Sequence, residues 1–225
     1  MAKAAGFANA DFPLEFHPFG AMLGADGKPF KTREGGVVRL VELLQEAEDR
    51  AFALVSEKSP ELDASERREI ARAVGVGAVK YADLSKNRTS DYVFDWDQML
   101  AFDGNTAPYL QYAFTRIRSI FARGGVDPAE LVGGLEITEP PEHALAVSLI
   151  RLQEVLEQVA AEGYPHYLCS YLYELATAFM RFYEACPILQ APADTKTSRL
   201  RLAARTADTL RFGLALLGID TVERM

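Results

Sequence analysis

The chain has 225 residues, of which 49% are hydrophobic, and a formal net charge of -8. This length and composition fit one large or two small soluble globular domains, and no apolar run reaches the length of a signal peptide or membrane span. We therefore expect a cytoplasmic protein. The negative net charge argues against a protein whose whole surface binds nucleic acid, although it is compatible with a local basic face.

The first segment, residues 1–36, differs in character from the rest and reads as part of something larger. Residues 14–19 predict a short strand, which would have no partner in this chain and would form no stable sheet. Residues 27–36 place basic side chains between glycines, which is typical of a mobile loop that contacts phosphate. Those basic residues are Lys28, Lys31 and Arg33. We expect the phenylalanines of the segment to be exposed: Phe7, Phe12, Phe16, Phe19 and Phe30.

Helical periodicity begins at residue 37. Apolar residues three and four apart predict one amphipathic helix that ends near Ser59. A second helix is predicted after Ser65, which resembles a weak cap, and runs to about Leu84. Its two glycines, Gly75 and Gly77, lower helix propensity and therefore suggest close packing against a neighbour. Residues 91–96 alternate polar and apolar side chains, which indicates a short extended segment.

The second half of the chain predicts a helical bundle of four or more helices. Residues 103–105 have turn chemistry, Thr106 is a plausible N-cap, and Pro108 suits the first helical turn. That helix should run to Arg123 and stop at the glycines that follow. Three long helices are predicted over residues 142–162, 165–185 and 195–217, each with one apolar stripe.

Two tyrosines, Tyr109 and Tyr112, lie at i and i+3 in the first turns of that helix and should share one face at its exposed end. They could form a platform for stacking bases, or they could fill the core with satisfied hydroxyls. Residues 196–211 carry five basic side chains against Asp208 alone. This stretch is a cationic helix face, whether it binds a ligand or is simply solvated.

Catalytic and metal-binding signatures are missing from the sequence. No nucleophile, base and orienting acid stand at a recognisable spacing, so the chain does not look like a complete enzyme. Cys169 and Cys186 form no CxxC pair and have no clustered histidines, so we expect reduced, buried thiols and no metal site.

Five stretches, in family order, resemble bacterial arginyl-tRNA synthetases, which are class I aminoacyl-tRNA synthetases. They are residues 30–36, 77–88, 91–96, 104–112 and 217–225. The resemblance covers only the C-terminal part of such an enzyme. It implies a mainly α fold, a helical bundle of the class I anticodon-binding type, with a short α/β remnant of the catalytic domain in front. The implied divisions are 1–36 for the remnant, 37–103 for connecting helices and a short extended segment, and 104–225 for the anticodon-binding domain.

The resemblance also has implications for nucleotide chemistry. Complete enzymes of the family use a HIGH motif and a KMSKS-type loop with ATP and Mg, and this sequence contains no HIGH motif. Residues 29–33 stand where the KMSKS-type loop would fall, with Thr32 in place of the usual second lysine. Lys28, Lys31 and Arg33 are then the candidates to steady the ATP phosphates. We expect the chain alone to bind no cofactor and to be inactive.

The resemblance further implies an RNA partner, tRNA(Arg), and a missing catalytic half in cis or in trans. The residues implied to face the anticodon loop are Phe102, Asp103, Gly104, Asn105, Thr106, Tyr109, Tyr112, Tyr183 and Met225. We expect a monomer. Two alternatives remain: a free-standing module that binds RNA or protein without ligase activity, and a plain helical scaffold.

Overall fold

The computed structural model describes residues 2–9, 11–29 and 39–225. The elements are β1 (Met22–Leu23), α1 (Leu40–Lys58), α2 (Ala64–Leu84), β2 (Tyr92–Val93), α3 (Trp96–Met99), α4 (Ala107–Gly124), α5 (Pro140–Ile150), α6 (Leu152–Glu162), α7 (His166–Ala185) and α8 (Ala193–Leu216). A short 3-10 helix, Pro128–Glu130, lies between α4 and α5. The predicted mainly α fold is confirmed, with one small two-stranded sheet beside the helices.

The small sheet differs from the prediction. β1 pairs in parallel with β2, with Met22 opposite Tyr92 and Leu23 opposite Val93. Residues 14–19 form no strand, so the predicted strand without a partner was wrong. The pairing segment begins after Gly20, whose N–H donates to the Arg88 carbonyl at 2.6 Å. A contact between segments about 70 residues apart cannot be seen in the local pattern of either one.

Helices α1 and α2 pack along each other around one hydrophobic cluster. The start of α2 corrects the sequence reading: the cap is Asp63, whose Oδ1 accepts from the N–H groups of Ser65 (2.8 Å) and Glu66 (2.9 Å). The predicted close packing at the α2 glycines is confirmed. A Cβ built on Gly75 would lie 2.6 Å from the Ala47 carbonyl oxygen of α1, and one on Gly77 would lie 3.0 Å from Ile219 Cγ2.

Helices α4, α5, α7 and α8 enclose a second hydrophobic cluster, with α6 packed on α7. Its largest fully buried rings are Tyr81, Phe114, Phe179 and Phe182, and burying a phenylalanine side chain contributes about 1.5–3 kcal/mol. The predicted ends of α4 are confirmed. Thr106 Oγ1 accepts from the Tyr109 N–H at 3.2 Å, and Gly125 takes a left-handed conformation with φ of 59°. The start of α4 is thus fixed relative to the bundle.

The single helix predicted over residues 142–162 is two helices. At the junction, the Arg151 N–H donates to the Ser148 carbonyl, three residues back, at 3.3 Å. This tighter bond interrupts the α-helical pattern without any proline or glycine, so composition gave no sign of it. Helix α5 contacts both α7 and α8, whereas α6 contacts α7.

Several other expectations can be compared with the structure. Cys169 and Cys186 are buried free thiols, as predicted, and burial raises the pKa of Cys169 to about 12. The described phenylalanines of the N-terminal segment are exposed, as predicted: Phe7, Phe12, Phe16 and Phe19. Phe30 lies outside the described residues.

In the part of the chain that the structure describes, no helix has the length and apolar character to cross a membrane. The same part holds no group of three acidic, histidine or cysteine side chains fit for a metal ion.

Candidate nucleic-acid interface

A groove of about 550 Å³ runs between α4, α7, the α1–α2 connection and the C-terminal tail. We call it the tyrosine–arginine groove and define it by five of its lining residues: Tyr112, Arg116, Arg123, Tyr183 and Met225. Three of the five belong to the set predicted from the sequence, although they come from distant parts of the chain. Both tyrosines are half-buried, so part of each ring remains accessible to a ligand.

Arg116 joins the two tyrosines of the groove. Its Nη1 donates to the Tyr112 hydroxyl at 2.6 Å, and its guanidinium carbon lies 4.9 Å from the centre of the Tyr183 ring. Its buried Nε has no hydrogen-bond partner among the described residues. The groove therefore contains a guanidinium cation held in place between its two aromatic rings.

Tyr183 is held from two sides. Its ring lies nearly parallel to Phe179, at 24° and 6.2 Å between centres, and Arg123 Nη2 donates to its hydroxyl at 3.3 Å. The hydrogen bond from Arg123 lowers the pKa of Tyr183 below its ordinary value, and the charge of Arg116 acts in the same direction. The ring thus lies in a positive electrostatic environment suited to an anionic ligand with flat, aromatic parts.

Met225 reaches the groove because the C-terminal tail is tied to the helices. Buried Gln111 of α4 donates through Nε2 to the Asp220 carbonyl at 2.8 Å and to the Ala73 carbonyl of α2 at 3.1 Å. Arg118 Nε donates to Glu223 Oε2 at 2.7 Å. These contacts fix the tail on both sides of buried Val222 and so place the last residue beside Tyr112 and Tyr183.

The predicted loop residues lie in a different place. Asp103, Gly104, Asn105 and Thr106 line a separate cleft of about 410 Å³ whose opposite wall comes from α2 and β2. Within it, the buried Tyr81 hydroxyl donates to Asn105 Oδ1 at 2.6 Å and also lies 2.8 Å from the Cys169 carbonyl oxygen.

Side-chain contacts hold both ends of this loop. Thr106 is buried, and its Oγ1 donates to the Ala101 carbonyl at 2.7 Å. At the other end, Lys58 Nζ lies 5.0 Å from the centre of the Phe102 ring. Between them Asp103, Gly104 and Asn105 are exposed. The loop therefore presents its tip to solvent from a fixed base.

Tyr109 does not line the tyrosine–arginine groove with Tyr112. It packs against Tyr173 of α7, with ring centres 5.6 Å apart, and contributes to the rim of the bundle core. The expectation of two rings side by side at an exposed helix end was therefore wrong. The reason is that α7 covers one side of the first turn of α4, which the spacing of the tyrosines alone does not reveal.

Of the phosphate-binding candidates, only Lys28 lies within the described residues. It is exposed on a turn, where its N–H donates to Asp26 Oδ1 at 3.1 Å and its carbonyl accepts from Gly24 at 2.8 Å. Lys31 and Arg33 lie outside the described residues. Their role in binding ATP stays a prediction.

Sequence reasoning missed two groove residues, Arg116 and Arg123. A signal was present, because Tyr112, Arg116 and Arg123 stand at i, i+4 and i+11 and hence on one side of a helix. Tyr183 was in the predicted set, but the helical spacing did not show that this residue of another helix lies opposite that side.

Two family models match the chain. Residues 110–225 match the DALR anticodon binding domain, and residues 1–96 match the catalytic domain of class I tRNA synthetases of the arginine type. The five residues that define the tyrosine–arginine groove lie in the first match, and β1, α1 and α2 lie in the second.

Individual relatives agree with these matches. The chain is 58% identical over its whole length to arginine–tRNA ligase of Marinomonas sp. (strain MWYL1) and 60% identical to that of Laribacter hongkongensis, and spans 39% of each. The arginyl-tRNA synthetase structure from Thermus thermophilus matches with a TM-score of 0.82 and 33% identity over 92% of this chain and 35% of the other. The arginyl-tRNA synthetase structure from Plasmodium falciparum matches with a TM-score of 0.76 and 28% identity, over 92% of this chain and 34% of the other. The chain spans about two fifths of its curated relatives, and it belongs to the arginyl-tRNA synthetase family.

Proposed function

We propose that this chain is the tRNA-binding portion of an arginine–tRNA ligase and that the tyrosine–arginine groove receives bases of the anticodon loop of tRNA(Arg). The groove carries the proposal, because it brings two partly open aromatic rings and two guanidinium groups together. Its five defining residues lie in the part of the chain that matches the DALR anticodon binding domain.

The chemistry of the groove suits single-stranded RNA. Proteins read RNA loops by stacking splayed bases on aromatic rings and by hydrogen bonds to the exposed base edges. Tyr112 and Tyr183 supply rings, and Arg116 supplies a donor between them. The thioether of Met225 can lie against a base face.

The remaining residues predicted to contact the RNA lie outside the groove. The exposed tip of the 102–106 loop can meet the RNA from the neighbouring cleft. Tyr109, which packs on Tyr173, contributes mainly by holding the start of α4 in place.

The full reaction of such a ligase joins arginine to tRNA(Arg) and converts ATP to AMP and diphosphate. Within the proposal, Lys28, Lys31 and Arg33 would face the ATP phosphates, with Mg, once a catalytic portion that carries the HIGH motif is present in cis or in trans. The 225 residues contain no HIGH sequence. We therefore expect the chain alone to bind tRNA(Arg) without charging it, so arginyl-tRNA formed by the purified chain would contradict this part.

The test of the groove compares Tyr183→Ala with Tyr183→Phe. Loss of the ring should weaken tRNA(Arg) binding by about 1–3 kcal/mol, the cost of one base stack, whereas phenylalanine keeps the stacking surface. Binding is measured by titration with labelled tRNA at one stated salt concentration. Phe16→Ala, which removes an exposed ring outside the groove, is the control and should leave the affinity unchanged. A Tyr183→Ala protein that folds and binds like the original would rule out a stacking role.

A further inference from the structure

Helix α8 carries a line of arginines that the proposed groove does not use. Arg201, Arg205 and Arg211 stand at i, i+4 and i+10, on one side of the helix, and span about 15 Å along its axis. We call these three residues the arginine stripe. Together with Arg118 of α4, they line a second groove of about 490 Å³ between α4, α8 and the 127–131 turn.

The guanidinium groups of two of these arginines have no partner among the residues that the structure describes. Arg211 pairs with Asp208 at 2.8 Å, and Arg118 pairs with Glu223 at 2.7 Å. By contrast, the guanidinium groups of Arg201 and Arg205 form no ion pair or hydrogen bond with any described residue. Arg201 is half-buried, so its side chain has already lost part of its hydration. Because no carboxylate of the described residues pairs with it, a bound anion would supply the missing hydrogen-bond acceptors.

The second groove connects with the tyrosine–arginine groove. A shallow depression of about 720 Å³ lies between them and shares Arg118 and Phe121 with the second groove. The same depression shares Ser119 and Arg224 with the tyrosine–arginine groove. A ligand strand leaving the tyrosines can therefore follow one continuous channel to the arginine stripe.

From this geometry we infer that the arginine stripe binds backbone phosphates of the RNA strand whose bases enter the tyrosine–arginine groove. The inference rests on the proposed function and adds a second contact surface to it. Arginine matches phosphate geometry through paired N–H donors, and phosphate contacts position an RNA without reading its sequence. The stripe therefore adds affinity and orientation, while the tyrosines supply selectivity.

The experiment measures tRNA affinity as a function of salt for Arg201→Gln/Arg205→Gln. The slope of log K against log salt is negative, and each lost phosphate contact reduces its magnitude by about 0.7–0.9, so the double variant should reduce it by about 1.5. The affinities for tRNA(Arg) and for a non-cognate tRNA should fall by the same factor. Arg201→Lys/Arg205→Lys keeps both charges and should keep most of the slope.

The matched control is Arg72→Gln/Arg181→Gln, which makes the same change in net charge at exposed positions that line none of the three connected surfaces. If Arg201→Gln/Arg205→Gln and Arg72→Gln/Arg181→Gln reduce the magnitude of the slope equally, the effect is one of overall charge and the stripe has no special role. A loss confined to tRNA(Arg) would also overturn the inference, because it would indicate base reading. An unchanged slope with intact binding overturns the stripe alone, whereas absence of tRNA binding by the original chain overturns both proposals.

Discussion

Arg116 is the residue on which the geometry of the proposed groove depends. It donates to the Tyr112 hydroxyl and lies over the Tyr183 ring, so one side chain fixes the spacing between two residues 71 positions apart in the sequence. The planar guanidinium can do both at once, whereas the ammonium of lysine is a point charge without a stacking face. The arrangement therefore calls for arginine and not merely for a positive charge.

Arg116→Lys should weaken tRNA(Arg) binding by about 1 kcal/mol, because the cation–π contact and the fixed position of Tyr112 are both lost. Arg50→Lys is the matched control, since Arg50 lies 4.8 Å from the centre of the Trp96 ring and pairs with Glu46 away from the groove. Both variants are titrated with tRNA(Arg), and their unfolding is followed by circular dichroism. Equal affinities for the two variants would contradict the role given to Arg116.

At the scale of elements, a buried ion pair fastens α5 to α8. Glu142 accepts from Arg199 Nε at 2.6 Å and from the N–H groups of Thr138 and Glu139 at 2.8 and 3.1 Å. Arg199 also donates to the Pro187 carbonyl at 2.7 Å. Burial by itself raises the pKa of Glu142, but the hydrogen bonds from Thr138, Arg199 and Glu139 outweigh it and hold the pKa below its ordinary value.

Glu142→Gln should lower the free energy of unfolding near neutral pH by about 3 kcal/mol, since Arg199 is left as an uncompensated buried charge. Because the folded-state pKa of Glu142 is depressed, its contribution is present above the unfolded pKa of about 4.3 and is lost as the pH falls through the folded value. Urea unfolding at several pH values should therefore show that the difference in free energy of unfolding between the original protein and Glu142→Gln, here called the gap, becomes smaller in acid. Glu154→Gln, at an exposed position of α6, should show little gap at any pH. A Glu142→Gln gap that stays constant into acid would contradict the ion-pair account.

Local signals predicted single elements well. Thr106 and Gly125 marked the ends of α4, and the glycines of α2 indicated tight packing that the Ala47 carbonyl confirms. The predictions that failed depended on contacts between distant segments: the pairing of β1 with β2, and the packing of Tyr109 against Tyr173 of α7. The break at Arg151 was missed because no sequence feature accompanies it.

At the scale of the whole molecule, the site is assembled from parts that lie far apart in the sequence. The tail reaches Tyr112 through Gln111 and Arg118, and the N-terminal segment is attached through Arg88, which donates to the carbonyls of Pro18 (2.7 Å) and Gly163 (2.8 Å). The sequence resemblance named Tyr112, Tyr183 and Met225 together, but neither spacing nor composition could place them in one groove. The connection of that groove to the arginine stripe is likewise a property of the folded chain alone.

The central claim is that the chain recognises the anticodon loop of tRNA(Arg), and it is tested most directly with a single change in the RNA. The affinity of the chain is measured at one ionic strength for tRNA(Arg) and for the same tRNA with its anticodon bases replaced. If the groove reads bases, the original tRNA should bind about tenfold more tightly or better, since one stack or base-edge contact is worth about 1–3 kcal/mol. Equal affinities would show that the chain attracts only phosphates, which would contradict the claim.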